Sequence, residues 1–358
     1  MLRFADARVP NRFVCKDGFV CEASQTCLPM SKVCDGHPHC PLKDDEIMCN
    51  FKCPTGCVCS GFYVECRMAT YINITYITVM AMPARVINLS ENNHTTSTFS
   101  ISTPMPYLYS LNISMCNITE FGSTPFYNAR NLLTLDIRRN QFKEINANTF
   151  TGLKKLRTLL LDFNERLRSI SPMSFVDLIN IKELSIRGSG LKLLQKDTFS
   201  GLNLRLLDLS YNTLSSIEDF AFNNLKCNEI YLLDSDIHSF GKGMFYGATE
   251  VRHLVTPAFK FCCIRPAGLQ ENDCLPQKDA FSSCEDLMRN RTLQILLWVI
   301  GIMALVGNVL SLVYRIAIDN KRLTIGFGIF VTNLALADFF MGLYLIIIAV
   351  ADVYYRDR

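Results

Sequence analysis

Residues 132–140 read LLTLDIRRN, residues 156–164 read LRTLLLDFN and residues 204–212 read LRLLDLSYN. In each, apolar residues stand at positions one, four and six, and an asparagine stands at position nine. On this frame the chain restarts at Ala84, Leu108, Leu132, Leu156, Ile181, Leu204, Cys227 and Val251, in steps of 23 to 25 residues. The fourth position runs Ile87, Leu111, Leu135, Leu159, Leu184, Leu207, Ile230, Leu254; the ninth runs Asn92, Cys116, Asn140, Asn164, Ser189, Asn212, Ser235. Alternation about position four predicts a short strand per unit, with positions four and six inward and three, five, seven and eight outward. Position nine supplies a side chain able to bond backbone groups that the turn would otherwise bury unpaired. A second ladder, Phe126, Phe150, Phe175, Phe199, Phe222 and Phe245, keeps the same phase. A unit repeated at this period buries its apolar face against its neighbours. Cys116 and Cys227 fall at core positions and read as buried small hydrophobes.

The period and pattern are those of leucine-rich repeats, which implies an α/β solenoid with short parallel strands on its concave face. Just ahead, CPTGCVCSGFYVEC (53–66) resembles the N-terminal cap of leucine-rich-repeat proteins. That resemblance implies the pairs Cys53–Cys59 and Cys57–Cys66. Position five, exposed on the concave face, reads Asn88, Asn112, Asp136, Leu160, Ser185, Asp208, Tyr231, Val255. Asn88 and Asn112 are sequons, and sugars there would cover the first two repeats. Beyond them runs an acidic lane, Asp136, Asp162, Glu183, Asp208, Glu229 and Asp234, interrupted by Arg138, Arg139 and Arg187. Tyr211 and Tyr231 add stacking surface. The lane reads as a face for a protein or peptide with basic side chains, steered by charge and held by aromatic anchors.

The rest of the chain is asymmetric. All sixteen cysteines lie between Cys15 and Cys284, while two long apolar runs, about 293–315 and 327–350, lie beyond them. Dense, even-numbered cysteines read as disulfides in an oxidising compartment. The sequons Asn73, Asn88, Asn93, Asn112, Asn117 and Asn290 all precede the first apolar run, which places that side outside the cell. Each run is long enough to cross a bilayer as a helix, which takes about 20 residues. The net charge of +3 is too small to argue for nucleic acid. The N-terminus MLRFADARVP lacks the apolar stretch of a signal peptide, and the chain stops twenty residues after Asp338, so both ends read as cuts in a longer protein.

Residues 15–49, CKDGFVCEASQTCLPMSKVCDGHPHCPLKDDEIMC, hold six cysteines in a span too short for a large core. Their spacing, with CDG and a DE before the last cysteine, resembles the low-density-lipoprotein receptor class A module. The resemblance implies the pairs Cys15–Cys27, Cys21–Cys40 and Cys34–Cys49, and a calcium ion held by Asp35, Asp45 and Glu46 with backbone near Lys32 and His37. His39 departs from that family, which has an aspartate there. Imidazole is a poor ligand for a hard cation, so the expectation is a calcium site of reduced affinity.

In the hinge, KFCC (260–263) and DAFSSCED (279–286) resemble leucine-rich-repeat G-protein-coupled receptors. Cys262 and Cys263 are expected to reach Cys274 and Cys284 in some order. GNV (307–309) and NLALAD (333–338) resemble helices one and two of rhodopsin-like seven-helix receptors. The family implies that Asn308 and Asp338 belong to a polar network inside the bundle, which offsets the cost of a carboxylate in lipid. A class A module, leucine-rich repeats and this hinge together resemble the relaxin-receptor branch and invertebrate orphan receptors of the same architecture. In that branch the class A module acts as a tethered activator.

The expected protein is multidomain: a disulfide and calcium knot, a solenoid, then the first two helices of a seven-helix bundle. It divides into an N-terminal segment (1–14), the class A module (15–49), the cap (50–67), about eight repeats (68–258), a cysteine-rich hinge (259–291), a first membrane helix (292–316), an intracellular loop (317–325), a second membrane helix (326–351) and the start of an extracellular loop (352–358). The expected function is part of a plasma-membrane receptor whose extracellular repeats bind a peptide or protein hormone and whose missing helices signal to a heterotrimeric G protein. The competing reading is a membrane-anchored adhesion or decoy protein, for which Asn308 and Asp338 have no use. The five histidines show no metal spacing, and no nucleophile–base motif or phosphate loop is present, so the chain is not expected to be an enzyme.

Overall fold

The computed structural model describes residues 18–21, 23–47, 49, 52–67, 77, 81, 83–93, 98–278, 284, 291–318 and 326–355. Cys15, Asn73 and Asn290, with residues 1–14 and 319–325, lie outside the described residues. The chain forms two units, Met1–Gln277 and Lys278–Arg358.

In the first unit a hairpin of Gly18–Val20 and Cys27–Pro29 opens the cysteine-rich knot. Cys21–Cys40 and Cys34–Cys49 staple it, and Cys27 is disulfide-bonded as well. The cap follows, with the bonds Cys53–Cys59 and Cys57–Cys66. Its hairpin, Val58–Ser60 with Tyr63–Glu65, is the edge on which the repeats build. From Tyr63–Glu65 the strands run parallel, one per repeat, through Val86–Asn88, Ser110–Asn112, Thr134–Asp136, Thr158–Leu160, Glu183–Ser185, Asn203–Asp208, Lys226–Tyr231 and His253–Val255, to a closing strand Cys274–Leu275.

The register follows the sequence frame. Ile87 pairs with Leu111, Leu111 with Leu135, and so on through Leu159, Leu184, Leu207 and Ile230 to Leu254. Every one of these position-four side chains is buried. On the far side of the core the phenyl rings of Phe126, Phe150, Phe175, Phe199, Phe222 and Phe245 stack in one column, with centroids 5.1–6.2 Å apart. Cys116 and Cys227 are free thiols in the core, and burial pushes their pKa up to about 11 and about 12. They are inert, since the reactive species is the thiolate.

The position-nine residues satisfy the turns. Asn140 donates to the carbonyls of Ile113 and Ile137 at 2.9 and 3.0 Å, and its oxygen accepts the N–H groups of Cys116 and Ile118 at 3.1 Å. The oxygen of Asn164 in turn accepts Asn140 N–H at 2.7 Å. One repeat is thereby tied to the next by side chain as well as by strand.

The hinge divides in two. Phe259–Ile264 forms a 3₁₀ helix that buries Phe259, Phe261 and Cys262 against the last repeat, and Phe261 packs 4.7 Å from Phe240. Cys262 bonds Cys274, the first residue of the closing strand. This stretch is the C-terminal cap of the solenoid. Cys263 and Cys284 are also disulfide-bonded.

The second unit is a pair of helices, α1 (Arg291–Ala317) and α2 (Gly326–Tyr355). Both are long and apolar enough to cross a membrane. They approach closely at small residues: a Cβ on Gly342 would lie 2.9 Å from Leu305 N and 3.0 Å from Ala304 Cβ.

Repeat stability is a sum of neighbour interfaces, so loss of one ring in the column removes contacts on both sides. Phe175→Ala should cost about 3–5 kcal/mol in a denaturant melt of the full chain. A loss under about 1 kcal/mol would mean that the column carries little of the stability.

Candidate ligand-binding face

Positions three and five stand on the concave side of each strand. What they offer depends on what their own repeat does with them. At position five the side-chain oxygen turns back to cap the N–H two residues on: Asn88 to Ser90 at 3.0 Å, Asn112 to Ser114 at 2.9 Å, Asp136 to Arg138 at 3.1 Å and Asp208 to Ser210 at 2.9 Å. These are Asx turns that close the strand. Position eight then adopts the left-handed conformation in every repeat from Glu91 (φ 63°) and Met115 (56°) through Arg139 (54°), Phe163 (59°), Gly188 (61°) and Tyr211 (60°) to Asp234 (49°). Only Gly188 adopts it without a Cβ penalty, and a Cβ there would also meet the Phe163 ring at 2.7 Å.

This turn chemistry corrects the expectation that positions five and seven are uniformly exposed. Asp136 and Asp162 are buried, as are Ser90, Ser114 and Ser210. Asp136 is held in a two-point ion pair by the Arg138 guanidinium, at 2.6 and 2.9 Å. Asp162 reaches into the next repeat, where it accepts the Ser185 hydroxyl and, at 2.9 Å, the Arg187 N–H. Burial pushes the Asp162 carboxyl above its ordinary value; the Ser185 and Arg187 bonds oppose that shift, and the charge of Asp208 adds to it. Glu183 is ion-paired with Arg205. Three of the six acids are therefore committed within the protein.

Asp208, Glu229 and Asp234 have no ion pair among the described residues. Asp208 stands beside Tyr231 in register, and the Tyr231 hydroxyl donates to Glu229 Oε2 at 3.4 Å. Partial burial, then the charges of Glu229 and Asp208, raise the Tyr231 pKa. Tyr211 is 45% exposed, with the Arg187 guanidinium 4.5 Å from its ring. The structure thus gathers Asp208, Glu229 and Tyr231 on the sixth and seventh repeats, with Tyr211 and Asp234 on the adjoining turns.

The first repeats differ. A hollow of about 340 Å³ opens on their concave side, walled by Asn88, Asn112, Glu91, Met115, Arg67 and Arg139 among others. Both position-five sequon asparagines thus border that hollow. Asn93 and Asn117 are exposed, and Asn117 donates to Asn93 at 3.3 Å.

In the knot, Glu46 accepts the N–H groups of Asp35 and Gly36 at 3.0 and 3.1 Å, and Asp45 accepts His39 N–H. The His37 N–H, then the His39 ring at 3.1 Å, hold the Asp35 carboxyl below its ordinary value. Asp45 is fully buried, and its Oδ1 has no partner. A buried, unsatisfied carboxylate oxygen is costly, and a hard cation would satisfy it. That oxygen fits a calcium ion; His39 adds no oxygen to the set. In the second unit Asn308 donates to its own helix, at Ala304 O (2.8 Å), and Asp338 is exposed on α2.

Some of this was missed from the sequence. Arg205 lies 22 residues from Glu183, so it flanks the neighbouring strand; reading the frame sideways as well as along the chain would have found the pair. Arg138, an interruption of the lane in sequence, is the cation that neutralises Asp136.

Two leucine-rich-repeat family models match the chain, one described as Leucine rich repeat over residues 106–165 and one as BspA type Leucine rich repeat region over residues 168–288. The chain is 44% identical over 113 residues to the G-protein coupled receptor GRL101 of Lymnaea stagnalis, covering 32% of this chain and 10% of that protein. It is 29% identical over 267 residues to the lutropin-choriogonadotropic hormone receptor of Bos taurus, covering 66% of this chain and 37% of the relative. It is 31% identical over 185 residues to the thyrotropin receptor of the same species, covering 49% of this chain and 23% of the relative. The fold and the family models define a leucine-rich-repeat protein with two candidate membrane helices. The relatives and the family models support a leucine-rich-repeat-containing G-protein-coupled receptor, and the chain spans well under half the length of each of these relatives.

The Ser185 hydroxyl stabilises the charged form of Asp162, so its effect depends on pH. Above the Asp162 pKa the carboxylate is charged, and Ser185→Ala should destabilise the fold by about 1.5–3 kcal/mol. Below that pKa the carboxyl is neutral and the same substitution should cost less. Thermal melts of both proteins across the carboxylate range test this; a penalty independent of pH would show that Ser185 does not act through Asp162.

Proposed function

We propose that the chain is the ectodomain and first two helices of a plasma-membrane receptor that binds a peptide or protein hormone through basic side chains. The ectodomain lies outside the cell, and signalling to a heterotrimeric G protein runs through a rhodopsin-like seven-helix domain of which α1 and α2 are the start. The observation that carries the reading is the unpaired acidic spot of Asp208 and Glu229 beside Tyr231 on the concave face. An arginine or lysine entering there meets two carboxylates with no internal cation, and Tyr211 and Tyr231 supply stacking surface. The paired acids, Asp136, Asp162 and Glu183, contribute less to binding and more to the shape of the face. Sugars on Asn88 and Asn112 fill the hollow over the first repeats and leave the ligand the C-terminal half. The relatives support a receptor over an adhesion or decoy protein, since those compared are receptors by name, two of them for hormones.

Binding of arginine- and lysine-rich peptide hormones to the intact chain in detergent tests the site. The Asp208→Ala, Glu229→Ala double variant should lose about tenfold or more in affinity, and wild-type association should slow as salt rises. Affinity and salt dependence left unchanged would remove the acidic spot from the reading.

The knot, on this reading, takes calcium through Asp45 and Glu46, with Asp35 shared with His39. Added calcium should raise the melting temperature of the full chain, a chelator should lower it, and Asp45→Asn should abolish both shifts. A melt indifferent to calcium would mean that His39 has ended cation binding in this module.

A further inference from the structure

The apolar core of the cysteine-rich knot is completed by a residue of the repeat cap. Phe62 belongs to the repeat cap by sequence, yet its ring packs 5.9 Å from Phe19 of the knot, and both are buried. Phe19, Cys21, Val33, Cys40 and Phe62 form a single apolar cluster, so the core of the knot is incomplete without a residue of the cap. Gly61, next to Phe62, also lies against the knot. It has φ +54°, and a Cβ on it would lie 3.1 Å from Val33 Cγ1 and 3.2 Å from Val33 Cβ. A side chain there would crowd Val33, in a backbone conformation that glycine adopts most readily.

Two further groups come from the repeats themselves. The Arg85 guanidinium of the first repeat lies 4.7 Å from the Phe19 ring centre, 5.1 Å from that of Phe62 and 5.5 Å from that of Tyr107. It also donates to the Asp44 carbonyl of the knot at 3.1 Å. Cation–π contacts strengthen as they are desolvated, and this one sits at the margin of a buried cluster. Tyr109 of the second repeat is bonded to the Val20 backbone in the knot, and burial pushes its pKa up to about 12. Contacts from the cap, the first repeat and the second repeat thus converge on the knot from different elements.

We infer that the knot works as a seated part of the ectodomain, docked on the surface made by Gly61, Phe62, Arg85, Tyr107 and Tyr109, and not as a module that moves freely at the end of a linker. A partner therefore meets the knot and the first two repeats as one surface of fixed geometry. Release of the knot exposes Phe62 and strips the first repeat of Phe19, which gives the contact the character of a latch: whatever breaks it loosens the N-terminal end of the solenoid at the same time.

Backbone hydrogen exchange of the full chain in detergent tests the seat. Arg85→Glu replaces the cation with an anion over the same rings. Exchange should then rise by about tenfold or more at both 18–20 and 61–66, while the strands from Thr134–Asp136 to Lys226–Tyr231 keep their wild-type rates. Unchanged exchange at both segments would overturn the inference, and so would a rise at only one of them, because a shared core must loosen on both sides. Where Arg85→Glu speeds exchange throughout the repeats, the solenoid itself is damaged, and Tyr109→Phe decides the matter. That variant removes only a hydroxyl. Faster exchange at Val20 with the repeats unaffected upholds the seat, and an unchanged rate at Val20 overturns it.

Discussion

Each repeat turns its backbone inward, and the turn must satisfy N–H and C=O groups that no strand partner reaches. The asparagine at position nine does this. Its side chain donates to carbonyls and accepts from two amides, as Asn140 shows, and it joins its own turn to the one before it. An unpaired buried amide costs about 1–3 kcal/mol, more than the net worth of a typical hydrogen bond. The ladder is therefore what fixes the turn, and the fixed turn is what holds position eight in the left-handed region in residues as unsuited to it as Phe163 and Met115.

That constraint shapes the concave face. A strand that ends in an Asx turn folds its position-five side chain back on itself, so an acid at that position serves the backbone before it serves a ligand. Where a basic residue follows, as Arg138 follows Asp136, the charge is neutralised as well. Asp208 is followed by Ser210, which cannot neutralise it, and Glu229 has no ion pair among the described residues. Asn212 Oδ1 and Ser235 Oγ are buried without a partner, in the turns that carry Tyr211 and Asp234.

The two ends of the solenoid are closed by different means. At the C-terminal end the hinge supplies Phe261 and a disulfide from Cys262 to the closing strand, so half of what reads as a linker is a cap. At the N-terminal end a hairpin supplies the edge strand and Phe62. A short disulfide-rich module cannot bury much apolar surface alone, and here it gains the rest from its neighbour. Both ends of a repeat array need such covering, because the terminal units lack one neighbour.

Much of this fold is written in one dimension. A period of 23 to 25 residues, two apolar ladders and a polar ninth position determine the parallel strands, their register and the core, because every repeat uses the same local rules as the next. The two apolar helices follow in the same way from length and composition. The acids of the candidate face were legible as a set, since their positions follow from strand alternation. Which of them are available was not. The neutralisation of Glu183 by Arg205, the burial of Asp162 under Ser185 and the seating of Phe19 on Phe62 join residues from separate repeats or modules. Periodicity places a side chain on a face, but the partner it finds there depends on chains brought together in space. The order of residues sets the frame, and the fold sets which charges are left over, because neutralisation is a matter of distance between side chains and not of their order.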